Sequence, residues 1–71
     1  MENILNLAMI DDLIAKLDPL ARKQLMVAFE QEMPHYIELD DNIFVGVNVE
    51  PLPHLQIIEQ VGDWAYGKIV R

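Results

Sequence analysis

The stretch from His35 to Glu50, HYIELDDNIFVGVNVE, limits what this chain can fold into more than any other part of it. Aliphatic, aromatic and β-branched residues dominate it, and Asp40-Asp41-Asn42 interrupts them with side chains that favour tight turns. Taking those three residues as the loop sets Leu39 opposite Ile43, Ile37 opposite Val45 and His35 opposite Val47. Because side chains alternate along a strand, this register gathers Ile37, Leu39, Ile43, Val45, Val47 and Val49 on one face. Tyr36, Glu38, Phe44, Gly46, Asn48 and Glu50 fall on the other. A two-residue loop at Asp41-Asn42 would put Glu38 and Val45 on the same face, so the three-residue loop is expected. Tyr36 then stands opposite Gly46, where its ring can cover bare glycine backbone.

The residues before this hairpin carry a helical period. Leu5, Met9, Leu13 and Leu17, joined by Ile10 and Ile14, recur at steps of three and four, which predicts a helix over about 3–17 with Asn3 as its cap. Asp18-Pro19 predicts a second helix start, since Asp18 can accept from free N–H groups while Pro19 loses nothing at the first helical position. Its stripe is Ala21, Leu25, Ala28, Phe29 and Met33, with Pro34 as the stop, giving about 19–33. Charges on this helix oppose its dipole: Arg22 and Lys23 stand toward the N-terminal end, Glu30 and Glu32 at the other.

Beyond the hairpin, Pro51 and Pro53 mark a connection, because two prolines so close cannot share a central strand. Leu55, Ile58 and Val61 suit a short helix, whereas Ile57-Ile58 and Val61 before Gly62-Asp63 suit a strand entering a tight turn; the strand is preferred, and Trp64 to Val70 reads as a last strand. In that strand the small-residue face, Ala65, Gly67 and Ile69, is expected against the helices. Trp64 and Tyr66 would then look outward. The fold class is α+β, an N-terminal αα-hairpin packed on a small antiparallel sheet of three or four strands. The expected strands are about 35–39, 43–50, 55–61 and 64–70, within one domain, 1–71.

Composition bears mainly on function. At 71 residues with no cysteine and two histidines, the chain lacks the disulfides or metal that reinforce many small domains. Its 52% hydrophobic content therefore points to self-association as a homodimer. The formal charge is −7, and no cation lies between Gln24 and Gly67. That span repels nucleic acid and attracts a basic protein. No Ser, Thr or Cys is present, so every hydroxyl or thiol nucleophile except tyrosine's is excluded. His35 and His54 belong to no ligand-spaced motif, and the Asp11-Asp12 and Asp40-Asp41 pairs point apart on regular backbone. No catalytic residue, metal site or cofactor is expected. No apolar run reaches membrane length and Met1-Glu2-Asn3 lacks a basic leader, so a cytoplasmic, membrane-free protein is expected.

The expectation is a non-enzymatic interaction module that inhibits or antagonises a basic, nucleic-acid-handling partner, as small acidic antitoxin-like or phage anti-defence proteins of comparable composition do. In its strongest form the acids mimic nucleic-acid phosphates. The candidate contact residues are Glu30, Glu32, Glu38, Asp40, Asp41 and Glu50, with the aromatics Tyr36, Phe44, Trp64 and Tyr66. The alternative is an accessory or assembly subunit binding through those aromatics or an open strand edge.

Overall fold

A computed structural model of the chain describes residues 10–71. The Asn3 cap and the contribution of Ile4, Leu5, Leu7 and Met9 to the first helix, and with them the full N-terminal αα-hairpin, lie outside the described residues. Within these residues the fold is α+β, with two helical segments and a four-stranded antiparallel sheet. Residues 10–15 are helical (α1) and are followed by α2 (Pro19–Glu30). The strands are β1 (His35–Glu38), β2 (Ile43–Val47), β3 (Leu55–Val61) and β4 (Trp64–Ile69).

The junction before α2 follows from two residues. Asp18 Oδ1 accepts from the Ala21 N–H at 2.8 Å, and Pro19 occupies the first turn, where its missing donor is harmless. The other end differs from expectation. Helix α2 stops at Glu30, short of the residue before Pro34, because Glu32 turns left-handed at φ 56. The Met33 N–H reaches the Ala28 carbonyl at 2.9 Å and the Glu32 N–H the Phe29 carbonyl at 3.2 Å. That pair of bonds is a Schellman stop built on a glutamate instead of the usual glycine.

The hairpin register is the one read from the sequence: His35 pairs with Val47, Tyr36 with Gly46, Ile37 with Val45 and Glu38 with Phe44. Its tip combines the two loop choices. Asp41 and Asn42 both have positive φ, 62° and 59°, and the Ile43 N–H returns to the Asp40 carbonyl, a type I′ turn on Asp41-Asn42. Asp40 is the extra residue that keeps Leu39 opposite Ile43, the Leu39 N–H bonding the Ile43 carbonyl at 2.6 Å.

Strand order is β1-β2-β4-β3, so the last strand lies between the second and third. Pairing of Val47 with Trp64 and Val45 with Tyr66 decides the orientation of β4, because directly opposed residues share a face. Trp64 and Tyr66 therefore lie on the helix side, the reverse of the sequence expectation. The main core packs Ile10, Leu17, Leu25 and Ala28 of the helical layer on Val45 and Val47, with Ile37, Leu39, Trp64 and Tyr66 around them. Trp64 stacks on Phe29 at 5.6 Å between ring centroids.

The opposite face of the sheet was expected to be open, and it is not. Phe44, Leu55 and Ile69 form a second buried cluster, edged by Tyr36, Val49 and Ile57. Two features close it. Asn48 at φ 52 ends β2 and reverses the alternation, so Val49 packs on this back face instead of on the helix side. Gly67, opposite Phe44, leaves room for β3 to close in: a Cβ there would run into the Gln56 carbonyl. The bulge between Ile57 and Glu59 bends β3 at the same level. Curling brings the two sheet edges together, and the Tyr36 hydroxyl lies 3.2 Å from His54 Nε2.

Candidate functional site

The acids nominated from the sequence do not form one row. Strand β1 separates them, and four residues of strand span on the order of 13 Å. Glu38, Asp40 and Asp41 sit at the hairpin tip and share with Asp18 and Lys16 a cleft of about 510 Å³ between the tip and the junction of the two helices. Glu32 precedes the other end of β1, and Glu50 lies near that end, lining a back-face groove of about 410 Å³ with Pro34 and His35. Glu30 stands on the exposed side of the last turn of α2.

The tip is a mixed-charge surface. Arg71 forms an ion pair with Glu38 and donates from Nε to Asn42 Oδ1 at 3.1 Å. Lys68 pairs with Ile43 at the start of β2, Lys16 lines the cleft, and Arg22 and Lys23 lie in the half of α2 that begins at Asp18. Lys16, Lys68 and Arg71 thus lie at the tip end, whereas Lys23 also lines a groove with Met33, Pro34 and His35 of the other end. Sequence reasoning placed Glu38, Asp40 and Asp41 in a cation-free span. Folding brings Arg71 back onto them, a contact across 33 positions that no local pattern announces.

The other end carries Glu32, Glu50 and Asp63, with Lys23 reaching its edge through the groove it shares with Pro34 and His35. His35, Val47, Trp64 and Val61 make one row across the sheet at this end, with the Gly62-Asp63 turn beyond it. Asn48 ties the turn to the helix-strand link, its N–H donating to the Asp63 carbonyl at 2.8 Å and its side-chain amide to the Met33 carbonyl at 3.2 Å. Glu32 adjoins Met33, so Glu32 and Asp63 are held at the same pole by one asparagine. Asp63 belongs to the cation-free span of the sequence but was absent from the candidate contact residues.

Comparison with protein-family models, curated proteins and solved structures finds no match. What the site can do therefore rests on its own chemistry.

The aromatic candidates fare differently from the acids. Phe44, expected on a docking face, is 0% exposed and cannot meet a partner in this fold. Tyr36 meets Phe44 edge to face at 5.6 Å and bonds His54, which commits it to the back-face cluster. Trp64 and Tyr66 are half-buried against the helical layer. Exposed apolar surface lies elsewhere, on Leu20, Met26, Val27 and Met33 of the α2 region and on Ile58 at the β3 bulge. His35 Nε2 is buried without a hydrogen-bond partner. Among the described residues no three acids or imidazoles are grouped to hold a metal ion, and no helix is long and apolar enough to cross a membrane.

Proposed function

We propose that this chain is a non-enzymatic interaction module that binds a basic partner protein through its acidic pole, Glu32, Glu50 and Asp63. The observation that carries this reading is the uneven charge of the fold: Lys16, Lys68 and Arg71 lie at the hairpin-tip end, whereas Glu32, Glu50 and Asp63 gather at the other end, which Lys23 approaches across the α2 groove. A surface with an excess of one sign steers an oppositely charged partner and sets its orientation. Glu38, Asp40 and Asp41 contribute less here, since Arg71 and Lys16 stand beside them. The phosphate-mimic form of the idea is not carried forward, because mimicry needs a regular row and the acids divide into two groups. An antagonist of a nucleic-acid-handling protein remains the partner class that such a pole fits.

The test uses the intact chain, immobilised to isolate a basic partner whose affinity is then measured against salt. Binding is expected to weaken steeply from about 50 to 200 mM salt. Replacing Glu32 and Glu50 by lysine is expected to weaken it at least about tenfold, and Asp40→Asn with Asp41→Asn much less. Equal loss from both pairs, or binding indifferent to salt, refutes the polar assignment.

A further inference from the structure

The outer face of α2 is self-complementary, and from it we infer that two copies of this chain pair antiparallel through α2 about a two-fold axis between Met26 and Val27. The helix buries little. Leu25 and Ala28 face the sheet and Ala21 is half-buried, whereas Leu20 is 66%, Met26 49% and Val27 39% exposed, with Met33 just past the helix end at 53%. Leu20, Lys23, Met26, Val27 and Glu30 recur at steps of three and four and so form one outward stripe. Beside it runs a shallow groove of about 470 Å³, lined among others by Leu20, Val27 and Met33, into which side chains of a second helix can seat.

The charges on the stripe decide the occupant. Lys23 and Glu30 lie equally far on either side of the Met26/Val27 midpoint, as do Leu20 and Met33. In an antiparallel pair centred there, residues equidistant from the midpoint stand level with each other, at about 1.5 Å of rise per residue. Lys23 of each copy meets Glu30 of the other, twice by symmetry, around an apolar centre of Met26 and Val27. Parallel pairing would set Lys23 against Lys23 and Glu30 against Glu30. A glutamate in the last turn opposes its own helix dipole, an arrangement that the facing lysine makes favourable. This face adjoins the acidic pole at Met33 and Pro34 but uses Lys23, Met26, Val27 and Glu30, so reversals at Lys23 and Glu30 test the pairing separately from those at Glu32 and Glu50.

Light-scattering mass across a dilution series, on the full chain, tests the pairing. The parent is expected to show twice the protomer mass at high concentration and to dissociate on dilution. Lys23→Glu alone and Glu30→Lys alone are each expected to weaken the dimer about tenfold or more, since both symmetric pairs become repulsive. The combined Lys23→Glu, Glu30→Lys protein is expected to regain the parent's dissociation constant within about threefold, because the pairs are restored with their signs exchanged. Because the chain has no cysteine, Val27→Cys also reports proximity: a short bis-maleimide is expected to join two copies at Val27→Cys and not at Ile58→Cys. A protomer mass at all concentrations, single reversals without effect, or a double reversal as weak as the singles would each overturn the proposal.

Discussion

Glu32 is a residue in the wrong conformation for its side chain. At φ 56 it closes α2 in the left-handed region, where a Cβ costs about 1 kcal/mol and glycine costs nothing sterically. Glu32→Gly is therefore expected to raise unfolding free energy by about 0.5–1 kcal/mol in urea melts, despite the greater freedom of glycine in the unfolded chain. A melt unchanged or weakened would mean that the carboxylate contributes more than the backbone relief. Phe44 and Gly67 act in the opposite sense. Phe44 is completely enclosed and faces a glycine whose Cβ position is already occupied by the neighbouring strand. Phe44→Ala is expected to cost about 3–5 kcal/mol, enough to unfold much of a small domain. Gly67→Ala forces β3 outward and is expected to cost about 1–3 kcal/mol in the same melts.

At the scale of elements, the pairing of β1 with β2 was legible because alternation leaves one register that separates Glu38 from Val45, and the Asp18-Pro19 start was legible because both residues act locally. The orientation of β4 was not. Trp64-Tyr66 and Ala65-Gly67-Ile69 alternate equally well either way up, and only pairing with β2 chooses between them. The back-face cluster escaped for a related reason: Phe44 looks surplus until Leu55, Gly67 and Ile69 arrive from later in the chain and Asn48 turns Val49 onto the same face. For the site, the acids were identifiable by type. Their division into a mixed-charge tip and an acid-rich pole depends on where Lys68 and Arg71 return, which strand order determines. The Arg71–Glu38 pair is solvent-exposed on both sides, 60% and 44%. Arg71→Ala is accordingly expected to change stability by less than about 1 kcal/mol, measured by thermal melting at low salt, while making the tip more acidic. A larger loss would mean that Arg71 anchors β4 through more than charge.

For the whole molecule, the two faces of one small sheet are both covered, by helices on one side and by the 48–54 connection on the other, with Tyr36 and His54 meeting across the curl. So thin a body cannot also bury the outer stripe of α2, which is why its surplus apolar area collects there. The strand order carries a consequence in time. Because β4 lies between β2 and β3, the sheet has a gap at its centre until Trp64–Ile69 has left the ribosome. Before then β1 and β2 can zip as a hairpin, but β3 has no neighbour and Phe44 has no roof. Assembly of the sheet thus waits for β4 and requires insertion of a strand between two others, a step with large loop-closure entropy. The nascent chain passes through a stage in which IFVGV offers a bare uncharged edge, guarded by the acids at the hairpin tip on one side and by Glu50-Pro51 on the other.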